Sequence, residues 1–136
     1  MNSKRNYMIV ECSDINFSKA LIYINKKKKF IHTWISSNKK KSNINFLYNQ
    51  DCINGVNFIN QKINFKKKIS LSENEFYLAK NMLKRQNPLG NLSQLNQKKL
   101  INFLLNNWSN YLKKNKINSV IFYSTPHLTY SYLIYC

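Results

Sequence analysis

Little in this chain of 136 residues belongs to the usual machinery of a binding site. It has 2 glycines and 2 prolines, so no glycine-rich loop can offer its backbone N–H groups to a phosphate. Its 3 cysteines, Cys12, Cys52 and Cys136, are too few and too scattered for a disulfide framework or a zinc site. Their odd number fits a reducing cytoplasm. No stretch of eighteen apolar residues occurs, so no spanning helix is expected. The start, Met1–Asn6, is polar and basic and meets an apolar stretch broken by Glu11 and Asp14. That is not a secretory signal. No paired-cysteine, Walker or nucleophile-elbow pattern is present.

Acid is scarce too. Asp and Glu total 5 against 22 Lys and Arg, a formal charge of +17. Such a balance ordinarily points to nucleic acid, an anionic membrane surface or phosphorylated ligands. The basic residues, however, are 20 Lys and only 2 Arg, beside 23 Asn and 15 Ile. Lys, Asn and Ile are what an A/T-rich coding sequence over-produces, and Arg is the residue preferred for forked contacts to phosphates and bases. The lysines are spread over several loops, neither interleaved with aromatics as a stacking surface nor gathered on one groove-fitting helix. The favoured reading is therefore a solvated, compositionally biased surface. A small basic protein that binds nucleic acid or an anionic surface is the alternative function.

What is present is apolar periodicity, and the chain is long enough for a single domain, residues 1–136, with a real core. Tyr7–Cys12 reads as a strand. Asp14 or Asn16 can cap a helix whose apolar face is Phe17, Ala20, Leu21 and Ile24. Four lysines at 26–29 close that helix where its dipole is negative. Phe30–Ile35 reads as a second strand. Strand, helix and strand within about thirty residues make a βαβ unit, hence a parallel pair with a right-handed crossover. Ile44–Tyr48 is a possible short strand, and Cys52–Phe65 is ambiguous between helix and loop. Ser72 and Glu75 form a capping box for a helix burying Phe76, Ala79 and Leu83, joined by Leu78 and Met82, and ended by Asn87-Pro88. Ser93 caps a longer helix, in which Leu100, Leu104, Trp108 and Leu112 stack at four-residue steps. Val120–Tyr123 is an unbroken apolar run, read as a strand buried on both faces between like-directed neighbours. Pro126 ends it. The order predicts an α/β fold: a doubly wound, mostly parallel sheet with helices on both faces, a Rossmann-like half.

Ligands of such sheets bind beyond the carboxyl ends of the strands. That makes His127, just past the last strand, the candidate catalytic base, with a capped strand end as the plainer account. Ser124 and Thr125 offer hydroxyls in the same loop, or simple turn chemistry. Glu11 and Asp14 follow the first strand; Glu11 is a candidate ligand to a hydroxyl, while Asp14 reads as a helix cap. Arg85, closing a helix, is a candidate partner for an acidic group or phosphate, although dipole compensation explains it equally well. His32, inside a strand beside Trp34, reads as a structural histidine. No metal ligand set stands out.

Two stretches together carry a resemblance. One is the S-x-x-E helix ending in M-L-K-R, followed by a polar loop and a long Trp-containing helix, Ser72–Leu112. The other is V-I-F-Y-S-T-P-H-L-T-Y-S-Y-L-I-Y, Val120–Tyr135. Together they resemble the N-terminal region of bacterial surface or capsular polysaccharide biosynthesis proteins, which look like two-domain (GT-B-type) glycosyltransferases. The resemblance implies an acceptor-side domain, inactive alone, with Pro126 and His127 as the matching motif and a sugar acceptor as partner. It implies a nucleotide-sugar donor held mainly by a second domain; no donor-binding residue carries over, so no cofactor is expected in this segment. It places the protein in the cytoplasm, with the inner membrane surface as a peripheral site. The apolar, aromatic segment Leu128–Cys136 has no stop signal, and left uncovered it would expose a sticky face. The expectation is a truncated C-terminus, with that segment covered by a missing C-terminal domain or by a partner.

Overall fold

A computed structural model describes residues 6–36, 44–54, 69–86 and 91–136. The elements are β1 (Tyr7–Val10), α1 (Ile15–Lys28), β2 (Ile31–Ser36), β3 (Asn45–Tyr48), α2 (Asn49–Asn54), α3 (Glu73–Lys84), α4 (Gln94–Lys114), β4 (Ser119–Phe122) and α5 (Thr129–Tyr135). The chain divides into two compact units. The first comprises residues 1–50 and 112–125, the second 51–111 and 126–136. The loop containing Asn87-Pro88 and most of Cys52–Phe65 lie outside the described residues.

The first unit is built on a four-stranded sheet in the order β3-β2-β1-β4. All three pairings are parallel, as the strand–helix–strand spacing predicts. The fold is a mixed α/β one, and its order is the first part of a Rossmann-like sheet. Consecutive strands run outward from β1 to β3, and β4 returns to the other side of β1. The two central strands are the most buried. Met8, Ile9 and Val10 of β1 and Trp34 and Ile35 of β2 are all sealed from solvent. Ile9, Cys12, Leu21, Ile31, Trp34 and Ile44 form one core cluster, with Ile22, Phe30, Phe46 and Ile121 packed against it. Trp34 stacks on Phe46 with ring centroids 6.1 Å apart.

β4 differs from expectation. It is half-buried along its whole length, and among the described residues its one ladder neighbour is β1. Tyr123, expected within the strand, follows it and is exposed. An unbroken apolar run reports that both faces are at least partly covered. It does not report how many neighbours the backbone has, so an edge strand and a central one read alike.

The apolar face of α1 also differs. Phe17 and Ile24 are exposed. The inward stripe is Ser18, Leu21, Ile22 and Asn25, one position round the helix. Its two polar members are bonded. Ser18 Oγ donates to Cys12 Sγ at 3.3 Å, and Asn25 Oδ1 accepts from the Ile31 N–H at 2.7 Å. Burying a small polar group costs little once it has a partner, and these partners fix the helix to both strands it connects.

In the second unit, the capping box at the start of α3 is formed as expected. The Ser72 hydroxyl accepts from the Glu75 N–H, and the Glu75 carboxylate accepts from the Ser72 N–H at 2.8 Å. The Ser72 hydroxyl also donates to the Glu75 carboxylate, at 2.6 Å, and this bond, with that from the Ser72 N–H, holds the Glu75 carboxyl below its ordinary range. Ser93 likewise caps α4, accepting from the Asn96 N–H at 3.3 Å. Ala79 and Leu83 are buried as predicted, whereas Leu78 is exposed. α4 buries Gln97, Ile101, Leu104, Leu105 and Trp108, close to the predicted stripe. Asn106, which no apolar pattern would select, is buried and clasps the segment before α3. Its Oδ1 accepts from the Ile69 N–H at 2.9 Å, and its Nδ2 donates to the Ile69 carbonyl at 3.1 Å.

The terminal segment corrects a further expectation. Residues 128–136 do not present an uncovered apolar face. Tyr130, Leu133 and Ile134 are buried, as is Tyr132, and α5 packs on α3. Burial, reinforced by the Cys136 side chain, pushes the Tyr132 hydroxyl up to about 12. A sequence shows that a segment must be covered but not by what, and here the chain's own helix covers it. No helix among the described residues is long and apolar enough to cross a membrane.

Candidate functional site

Parallel strands that run outward from β1 on one side and resume on the other leave a crevice at the carboxyl ends of β1 and β4. There the two following segments diverge. This is the topological switch point of the first unit, and it lies between the segment leaving β1 and the segment leaving β4.

β1 leads into Glu11, which takes a left-handed conformation with φ of 55°. Its N–H still donates to the Ile35 carbonyl at 3.2 Å, and on the other side the Tyr123 N–H donates to the Val10 carbonyl at 3.2 Å. The ladder therefore persists to the lip of the crevice on both flanks of β1. The register pairs Val10 with Phe122, so Glu11 stands beside Tyr123, and Ser124 and Thr125 continue past it. Glu11 is half-buried, while Tyr123, Ser124 and Thr125 are exposed. A non-glycine residue with left-handed φ costs roughly 1–2 kcal/mol. At this turn a dinucleotide-binding sheet would use glycine. Here a carboxylate is kept in that place.

The next residues close the start of α1. The Asp14 carboxylate accepts from the Phe17 N–H at 2.6 Å, and its carbonyl accepts from the Ser18 N–H at 3.0 Å, the helix cap expected of it. Cys12 is buried beneath, accepting from Ser18 and donating to the Asp14 carbonyl at 3.8 Å. Over the gap, the rings of Phe17 and Tyr123 approach to 5.9 Å, which ties the first turn of α1 to the end of β4.

This geometry constrains the ligand chemistry. Where a phosphate binds at such a point, it takes the free N–H groups and positive end of the first helix. In this chain the Asp14 carboxylate already occupies that end. The two acidic residues of the first unit, Glu11 and Asp14, both lie here, and a second anion would be repelled. Carboxylates and hydroxyls with an aromatic wall suit a neutral, hydroxyl-rich molecule, since a carboxylate accepts strongly from hydroxyl donors.

The remaining candidates are His127, Arg85 and His32. His127 is exposed and belongs to the second unit, as does Arg85. Arg85 ends α3 with its N–H donating to the Leu83 and Met82 carbonyls. His32 shares a 2.7 Å hydrogen bond with the Thr33 hydroxyl, in keeping with its structural reading. Among the described residues no three His, Cys, Asp or Glu side chains gather as a metal site. The buried Cys12–Ser18 pair and the Phe17–Tyr123 contact were not legible beforehand; the apolar pattern placed Phe17 inside.

No family model matches the chain, and no curated protein or solved structure matches it either. The resemblance to surface-polysaccharide glycosyltransferases rests on its two short motifs alone.

Proposed function

We propose that this chain is an acceptor-side domain of a glycosyltransferase-like protein of surface polysaccharide synthesis, and that the crevice at the carboxyl ends of β1 and β4 holds a sugar. The observation that carries this reading is the capped, acid-lined switch point. Glu11 stands in the place of a glycine, and Asp14 fills the helix end that a nucleotide phosphate would need. The Glu11 carboxylate accepts from sugar hydroxyls, Ser124 and Thr125 add polar contacts, and the Tyr123 ring offers an apolar face for a pyranose. A nucleotide-sugar donor is assigned to no residue of this chain. We place the protein in the cytoplasm, at the inner membrane surface. None of its cysteines is in a disulfide, which suits that compartment.

The test is a binding titration of the chain with mono- and oligosaccharides, with nucleoside diphosphates in parallel. Saccharide binding that perturbs the amides of Glu11 and Ser124 is expected. Glu11→Gln should weaken it about tenfold or more, the effect of removing a charged acceptor. Nucleoside diphosphate bound at the first turn of α1, or saccharide binding indifferent to Glu11, would overturn the reading. The imidazole of His127 is carried as the proposed base. In an assay with donor and acceptor, His127→Ala should lower turnover about a hundredfold, and unchanged turnover removes it from the mechanism.

A further inference from the structure

The opposite edge of the same sheet has the opposite charge. Two helices end there, α1 before β2 and α4 before β4. Each ends in lysines, all exposed: Lys26, Lys27, Lys28 and Lys29 on one, Lys113, Lys114 and Lys116 on the other. None of the five acidic residues of the chain lies in either connection. Because β2 and β4 flank β1, the two connections enter the sheet at its amino edge, one on each side of β1.

These are built positions. Asn6 and Tyr7 pin both connections to the start of β1. The Tyr7 N–H donates to the Phe30 carbonyl at 2.8 Å, and the Asn118 N–H to the Asn6 carbonyl at 3.1 Å. Asn6 Nδ2 donates to the Asn115 carbonyl at 3.2 Å. Both helices finish in caps of the type that glycine usually serves. In α1 the Lys29 N–H returns to the Asn25 carbonyl at 2.8 Å. In α4 the Ile117 N–H returns to Leu112 at 2.9 Å and the Lys116 N–H to Lys113 at 3.1 Å. The left-handed residue is a lysine both times, with φ of 46° at Lys29 and 52° at Lys116. Dipole compensation explains lysines in the last turn. It does not explain a lysine at the strained position itself, on both connections.

We infer that this amino edge of the first unit is a docking face for an anionic lipid surface. The inference deepens the membrane-surface placement above and is independent of the sugar reading. All seven charges are lysine, which acts as a point charge toward lipid phosphate, and among the described residues of this edge there is no arginine to fork onto nucleic-acid phosphates or bases. Beside them on α1, Tyr23 and Ile24 are exposed, 60% and 43%. Lys27 Nζ lies 4.7 Å from the Tyr23 ring centroid. An aromatic and an aliphatic side chain among lysines are what a headgroup interface takes up. A sheet edge is broad and is no helix for a groove, which again favours a surface over a duplex.

The experiment is co-sedimentation of the full chain with vesicles of phosphatidylcholine alone and of phosphatidylcholine with phosphatidylglycerol, across a salt series. Binding only to the anionic vesicles, weakening with salt, is expected. The variant K26Q/K28Q/K113Q/K114Q should lose at least about tenfold in partitioning. The variant K84Q/R85Q/K98Q/K99Q removes equal charge from the second unit and should lose far less. K29G/K116G should also bind more weakly while unfolding at a higher temperature, which separates loss of the face from loss of the fold. Equal losses from the two quadruple variants would overturn the inference. So would binding to a single-stranded RNA without binding to the vesicles. Saccharide binding, measured without vesicles, answers for the crevice separately.

Discussion

The two ends of the first unit's sheet share one strand and little else. β1 begins between two groups of lysines and ends, four residues later, at Glu11 and the Asp14 cap. Part of the contrast is imposed by the fold. In a parallel sheet every connecting helix ends at the amino edge and begins at the carboxyl edge, so carbonyl ends gather at one and N–H ends at the other. Cations at the first and anions at the second are each worth about 0.3–1 kcal/mol. The rest is not imposed. Among the described residues, the three left-handed non-glycine positions, Glu11, Lys29 and Lys116, divide between the two ends, and each bears the charge of its own end. The dipole therefore accounts for the sign of each edge, and the strained residues mark where charge is retained against the preference of the backbone.

The largest way to break this contrast is to remove what both ends hang from. Trp34 is fully buried in the core cluster between β1, α1 and β3. Trp34→Ala should cost about 3–5 kcal/mol, enough to unfold the unit under mild denaturant, and urea titration reads it directly. Saccharide and vesicle binding should disappear together. If one survived, the two faces would not share a scaffold.

Asp14→Ala comes next. Loss of the cap should lower stability by about 1 kcal/mol and free the N–H of Phe17. The carboxyl edge then loses part of its negative character, so inorganic phosphate should bind weakly to the variant and not to the native chain. A native chain that already binds phosphate there would mean that the cap does not define the crevice.

The contrast also shows what the sequence could and could not disclose. The βαβ unit, the Asp14 cap and the Ser72–Glu75 box were legible because short-range rules decide them: apolar runs, a carboxylate before a helix, and a hydroxyl three residues before a glutamate. The common direction of the strands, and with it which edge is the carboxyl one, was legible from the βαβ spacing. The edge position of β4 was not, since ladder neighbours depend on distant residues. Nor was the inward turn of Ser18 and Asn25 on α1, whose polar groups are satisfied by bonds to Cys12 and Ile31 that no local pattern announces. Leu128–Cys136 read as an uncovered segment because its cover, α3, lies about fifty residues earlier in the chain. The amino edge was the least legible. In the sequence its lysines are scattered runs in a lysine-rich chain, and only the register of β2 and β4 on either side of β1 makes them one face.

The smallest expected effect is the sharpest. Glu11→Gly and Lys29→Gly make the same backbone change at opposite ends, relieving a left-handed residue. Each should stabilise the unit by about 0.5–1 kcal/mol after the entropy of glycine in the unfolded chain is counted. The two gains should add, because the sites lie at opposite ends of a strand and share no partner. Function should divide where stability does not. Glu11→Gly should lose saccharide binding and keep vesicle binding, and Lys29→Gly should weaken vesicle binding and keep saccharide binding. Thermal unfolding measured beside the two binding assays reads all of this from two proteins. If either substitution destabilised the chain, the left-handed residue would be serving the fold, and the charge at that end would need no functional explanation.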